Sequence, residues 1–332
     1  MTDYENFLIR KILHADDFGR EREIDLSFLI ESSVVETIDL SGPRIILKFN
    51  DQFSLIRDEL GVKAGDLLRI DVPVGSQWGD DTLFIDFRIL TMPVTAKGEV
   101  VINCLLDDIF YWKQPIKAGA GGMRRWVEPR IFRGMDPVAI VKELDRWEFR
   151  MYKTDTFPVT EEYHFLPGER ATLTLRQMAR EHAACIYIER QLMCVRSIRQ
   201  MVQADPTFTY DYYDETTPRD VDFNEYHGLM LIYATPNNNT ILEDTMVRHY
   251  NGFDMINGPI QATKNTDSPQ EFTSQTHLTT LNNLNTVLVP AVEFTAAGNS
   301  WLVAGVMMKL NWYQSDKEAP IDESLPPTAL VH

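Results

Sequence analysis

From Arg44 to Asn50 the chain alternates, with Ile45, Leu47 and Phe49 on one side and Arg44, Ile46 and Lys48 on the other. Gly42-Pro43 stands in front of the run and Asn50-Asp51 behind it. Such alternation between turn residues predicts a strand with one buried face. In "EIDLSFLI" the same period places Ile24, Leu26 and Phe28 on one face, and in "LLRIDVPV" it aligns Leu68, Ile70, Val72 and Val74. "TLFIDFRILTMPV" and "GEVVINCLLDD" read as two more strands. Between these runs "DQFSLIRDEL" predicts a short helix, with Phe53, Ile56 and Leu60 as its stripe, Asp51 as N-cap and Gly61 as the stop. Gly65 supplies the turn that follows. Residues 1–115 therefore predict a small β-barrel or curled sheet of five or so strands with one short helix.

The pattern breaks at "IKAGAGGMRRW". Gly119, Gly121 and Gly122 do not fit phosphate-loop spacing, and a linker over 116–126 is the simpler reading. Residues 127–205 are mixed α+β. "MDPVAIVKELDRW" is a helix capped by Asp136, with Pro137 first and Ile140, Val141, Leu144 and Trp147 as its stripe. "LTLRQMAREHAACIYIERQLMCV" then reads as helix, strand, tight turn and strand, with Leu175, Met178 and Ala179 facing inward. Residues 206–313 return to β, including "FTYDYYDE" and "YHGLMLIYAT". A helical insertion is expected at "SPQEFTSQTHLTTLNNL", and two closing strands around Ala297-Gly298-Asn299. Residues 314–332 are Pro-rich and acidic and predict an extended arm. The fold class is mainly β: two small barrels, a helix-and-hairpin middle and an arm.

A 44% hydrophobic composition supports a real core. The formal charge of −17 argues against broad nucleic-acid binding, because phosphates are repelled. The three cysteines form no disulfide framework, which points to a reducing compartment. The N-terminal stretch is too polar for a signal peptide. No apolar run reaches the ~20 residues of a membrane span.

Common catalytic signatures are missing: no G-x-S-x-G, no H-E-x-x-H, no Walker loop. His182, Cys185 and Cys194 could offer three metal ligands, but no fourth is evident, and core cysteines beside a partly buried histidine are the better reading. Asp16-Asp17, Asp80-Asp81 and Asp107-Asp108 each stand by a turn or strand end, where Asp bonds local backbone. No carboxylate pair is singled out for glycoside chemistry. No cofactor is expected.

Two resemblances meet at the opening strand. "PRIILKFNDQFSLIRDELGVKAGDLLRIDV" resembles the swapped-hairpin barrel of bacterial transition-state regulators, which are small, basic, dimeric DNA-binding proteins. A wider likeness covers most of the chain. "DLSGPRIILKFND", "LTLRQMAREHAACIYIERQLMCV" and "LNTVLVPAVEFTAAGNSWLVAGVMMKLNWY" resemble, in that order, the first barrel, helix-hairpin core and second barrel of baseplate hub proteins. These belong to contractile-tailed bacteriophages and are related to the hub part of type VI secretion spikes.

The hub resemblance implies a homotrimer without enzymatic activity, adapting a hexameric tail tube to a trimeric spike and lining the DNA exit channel. It implies a virion location in the tail baseplate, with assembly in the host cytoplasm and no membrane insertion. Its partners would be a tail tube or tube-initiator protein and a central spike protein, with tape measure and baseplate wedge proteins beyond them. DNA would be met only in transit, past an acidic wall. Arg44, Ile46 and Lys48 become candidates for the subunit interface. Ile321, Leu325 and Leu330 become candidates for an arm that docks a spike or neighbour. Another β-rich virion part, such as a tube or wedge protein, is the alternative; a carboxylate-based peptidoglycan enzyme is a third.

Overall fold

The computed structural model describes residues 9–16, 19–73, 82–94, 98–119, 127–145, 151–159, 162–189, 192–212, 240–242, 245–247, 303–313, 320–321 and 327–331. The helices and strands predicted at "YHGLMLIYAT" and "SPQEFTSQTHLTTLNNL", the turn at Ala297-Gly298-Asn299, and Trp147 and Leu325 lie outside them.

The N-terminal part is a seven-stranded antiparallel sheet. Its strands are β1 (Lys11–Ala15), β2 (Glu21–Ile24), β3 (Leu29–Val35), β4 (Arg44–Asn50), β5 (Leu67–Pro73), β6 (Thr82–Thr91) and β7 (Glu99–Leu106). Their spatial order is β2-β1-β5-β6-β7-β4-β3. The alternation in β4 is realised: Ile45, Leu47 and Phe49 are fully buried. Burying each stabilises the fold by about 1.5–3 kcal/mol relative to exposure. They share one core with Ile12, Ile24, Leu68, Ile70, Val100 and Ile102.

β2 and β3 are the two edges, and no pairing joins them among the described residues, so the expected closed barrel is an open sheet there. It is nonetheless strongly curled. Only the stretch from Ile24 to Leu29 connects the edges, and five extended residues reach about 17 Å. Seven flat strands would hold those edges about 29 Å apart.

Several local expectations fail, each for a visible reason. "EIDLSFLI" is not one strand. Asp25 accepts a hydrogen bond from the Ser27 amide (2.8 Å), capping a 3-10 turn over Leu26–Phe28. The helix after β4 is a single π-type turn, Leu55–Glu59. Phe53 lies before it and is 82% exposed, while Ile56 is buried. The N-cap position falls to Ser54 rather than Asp51, but Asp51 holds the turn from outside, accepting from the Ile56 amide (2.9 Å) and the Arg57 guanidinium (2.8 Å).

The middle part adds α1 (Asp107–Trp112), β8 (Arg130–Arg133), α2 (Pro137–Leu144), β9 (Met151–Thr154), β10 (Glu162–Phe165), α3 (Ala171–Glu181), β11 (Ala184–Glu189), β12 (Leu192–Ser197) and α4 (Ile198–Val202). Asp136 caps α2 through the Ala139 amide (2.8 Å). The hairpin β11–β12 pairs Glu189 with Leu192, and β9 runs parallel to β12. One apolar core runs from Ile9 to Val195, across both parts. At the linker, Ile116 is buried and its amide bonds the Glu169 carbonyl (2.7 Å).

A third sheet holds β13 (Phe208–Tyr212), β16 (Met307–Trp312) and β17 (Thr328–Leu330), in the order β13-β16-β17. A short antiparallel pair, β14 (Thr240–Leu242) and β15 (Thr245–Val247), lies between them in sequence. β13 pairs with β16 in parallel. β16 starts at Met307 because a turn at Gly305, with φ of +83°, interrupts "WLVAGV".

The arm is not free at its far end. Leu330 stands opposite Met307 in β17 and packs on the cluster around Tyr187. Of the proposed docking residues, Leu330 is therefore engaged by its own chain, while Ile321 bridges Tyr313 and stays exposed.

Candidate assembly surface

β4 lies between β7 and β3, so its outward side chains occupy the sheet rather than its rim. Arg44, Ile46 and Lys48 all face away from the core. Lys48 stands opposite Glu31 on β3 and pairs with Glu99 at 3.0 Å. The Arg44 guanidinium donates to the Ser41 carbonyl (2.7 Å). Ile46 is 37% exposed between Ser33 and Asn103. Asn103 is occupied with the Thr91 hydroxyl at 2.8 Å. Ile46 is thus an apolar side chain set in a polar row.

Two bulges enlarge the apolar part of this face. Leu29 pairs with Phe49 and Glu31 with Lys48, leaving Ile30 unpaired between them. Ile89 pairs with Cys104 and Thr91 with Asn103, leaving Leu90 in the same position on β6. A bulge re-aims the extra residue. Here the extra residues are Ile30, 51% exposed, and Leu90, 40% exposed. Val35, across from Arg44, is exposed too. Leu90 follows the outward alternation of Phe84, Asp86 and Arg88, but periodicity could not locate Ile30, because a bulge is a mismatch between two strands and leaves no mark in either one alone.

The turn that launches β4 is built on Asp39, which accepts from the Thr37 hydroxyl (2.9 Å) and the Ser41 amide (2.8 Å). Burial pushes the Asp39 carboxyl up. The Ser41 and Thr37 hydrogen bonds, aided by Arg176, more than offset this and hold it below the ordinary value.

The chemical candidates have structural partners. Asp16 accepts from the amide and guanidinium of Arg20. Buried Asp107 accepts from Arg88 (2.8 Å), which also donates to the Gly65 carbonyl (2.9 Å). Asp80-Asp81 lies outside the described residues. Burial pushes the thiols of Cys185 and Cys194 up to about 12, which keeps both protonated. His182 packs edge-on against Phe157 at 6.2 Å. Among the described residues, no three His, Cys, Asp or Glu side chains converge as a metal would require. A further buried polar pair, which sequence reasoning missed, joins His14 and Asp66 at 2.8 Å inside the first sheet.

No family model matches the chain, and no curated protein matches it. Solved structures do. The prophage tail protein gp18 from Listeria monocytogenes is 9% identical, with a TM-score of 0.39 over 62% of this chain and 56% of that one. The E. coli c3393 protein, a type VI secretion component with structural similarity to the T4 tail proteins gp27 and gp5, is 9% identical. Its TM-score is 0.33 over 64% of this chain and 53% of that one. The Francisella PdpA-VgrG complex is 10% identical, with a TM-score of 0.33 over 66% of this chain and 33% of that one. The chain thus spans little more than half the length of the Listeria and E. coli proteins. Its structural neighbours include a phage tail protein, a type VI secretion component and a PdpA-VgrG complex.

Proposed function

We propose that this chain is a structural baseplate hub of a contractile phage tail. Three copies adapt the tail tube to a spike and line the path of DNA, without carrying a reaction. The observation that carries the reading is the outer face of the first sheet. Beneath it Ile45, Leu47 and Phe49 are fully buried, while Ile30, Val35, Ile46 and Leu90 are exposed on the other side. A monomer gains nothing from apolar residues placed at bulges on a solvated face; a subunit contact does. The order of parts adds support: a curled sheet, then a helix followed by a hairpin, then a further sheet. That is the order implied by the hub resemblance of the sequence. The charge of −17 suits a wall past which phosphates slide without adhering.

Electron-microscopic imaging of the chain in an assembled tail tests this. Threefold density between tube and spike is expected. A sixfold ring would replace the hub with a tube or tube-initiator component. Peptidoglycan turnover lost on changing one carboxylate would overturn the non-enzymatic part.

A further inference from the structure

In a chain with 49 acidic and 32 basic residues, cations without carboxylate partners need an explanation. Several described cations have one: Lys48 has Glu99, Arg69 has Asp86, Arg88 has Asp107 and Arg196 has Asp155. Four others are gathered at one place. Arg44 opens β4, opposite Leu105 at the end of β7. The Leu106 amide bonds the Pro43 carbonyl (3.0 Å), so α1 starts beside Arg44. Lys113 ends α1, and two residues later Pro115 bridges Arg170. Arg170 precedes α3, and Leu173 and then Arg176 follow in steps of three, each beside the last on the helix surface. Between the two arginines, Leu173 is 57% exposed.

Among the described residues Lys113, Arg170 and Arg176 form no ion pair, and Arg44 donates only to a backbone carbonyl. Asp39 is the acidic neighbour, already engaged by Thr37 and Ser41. The gathering is felt at Lys113: burial lowers its pKa, and Arg44, Arg176 and Arg170 push the same way against Asp39. Holding like charges together costs free energy, and a bound carboxylate would return it.

We propose that Arg44, Lys113, Arg170 and Arg176, with Leu173 exposed among them, dock a carboxylate-bearing segment of a second copy of this chain. This rests on the reading of the protein as a self-assembling hub. The argument for a second copy is charge complementarity. Chains of −17 repel one another at long range, but at physiological salt that repulsion is screened beyond about 8 Å. Attraction at contact distance survives, and this cluster is where the chain offers cations to its own surplus of acid. Leu173 supplies an apolar anchor inside the charged ring.

Light scattering of the full chain, over rising protein and NaCl concentrations, tests the site. The expected result is self-association that weakens with salt. Arg170→Glu with Arg176→Glu should weaken it about tenfold or more, whereas Arg170→Lys with Arg176→Lys should keep most of it. Both double variants should unfold at the wild-type temperature, since the altered side chains are exposed. Association unchanged by the charge reversal overturns the site and leaves the hub reading intact. A wild-type chain monomeric at every concentration also overturns it, while the imaged tail decides the hub reading separately. Titration with inorganic phosphate distinguishes a free-anion site: phosphate that binds this cluster without loosening the association overturns the second copy as occupant.

Discussion

Gly305 lies directly against the ring of Tyr187, with no room for a Cβ between them. The contact joins the third sheet to the β11–β12 hairpin. Around it Ile38, Cys185, Cys194, Ile198, Met201 and Ala304 close a separate apolar cluster. The Gly305 amide donates to the Val331 carbonyl (2.8 Å), which fastens the end of β17 to the same turn.

Gly305→Ala should therefore be costly twice over, through the φ of +83° and through overlap with a buried ring. The expected loss is about 2–4 kcal/mol. Tyr187→Phe should be close to neutral, because the buried Tyr187 hydroxyl meets only the Cys194 thiol, a weak partner. Denaturant unfolding measures both. A harmless Gly305→Ala would mean that the turn does not sit on Tyr187.

Ile46→Asp should leave the chain folded and weaken its assembly. The side chain is already exposed, between Ser33 and Asn103, and its neighbours Ile45 and Leu47 keep the core side of β4 intact. Circular dichroism reports the fold and light scattering the mass. Full assembly by the variant would remove this face from the contact.

Asp51→Ala should cost about 2 kcal/mol, since a buried acceptor for the Ile56 amide and a partner for Arg57 are lost together. Phe53→Ser, two residues away and exposed, should change thermal stability little. Equal effects from the two substitutions would mean that the turn is held by Phe53 after all.

His182 is half-buried, and burial holds its pKa below the ordinary 6.5, against the pull of Glu181 and Asp136. The unfolded chain takes up this proton more readily than the folded one. Stability from His182 is thus present above its unfolded pKa of 6.5 and is lost as the pH falls through the lower folded value. His182→Gln should flatten the fall of Tm between about pH 7 and pH 5. A variant with the wild-type slope would place the acid sensitivity elsewhere.

What could be read from sequence follows the range of the forces involved. The β4 strand, the Asp136 cap and the α3-to-hairpin passage are local: alternation, a capping side chain and an apolar stripe decide them within a few residues. Phe53 fitted a helical stripe, yet the segment turned too tightly to bury it. Leu26 and Phe28 kept the period of a strand, but Asp25 captured the Ser27 amide first. Leu330 looked like part of a loose arm, because nothing near it announces a partner at Met307. Of the assembly face, Arg44, Ile46 and Lys48 were legible from alternation. Ile30 was not, since its exposure comes from the register between β3 and β4.

The β13–β16 pairing sets a constraint on synthesis. Asp211 bonds Asn311, one hundred residues further on. At about 5–20 residues per second, a ribosome delivers that partner roughly 5–20 seconds later. Until then the edge of β13 has no described strand to pair with, and it must not recruit a neighbouring nascent chain. Its sequence, FTYDY, places an acid and a hydroxyl residue between the aromatics, the kind of composition that keeps a waiting edge from sticking.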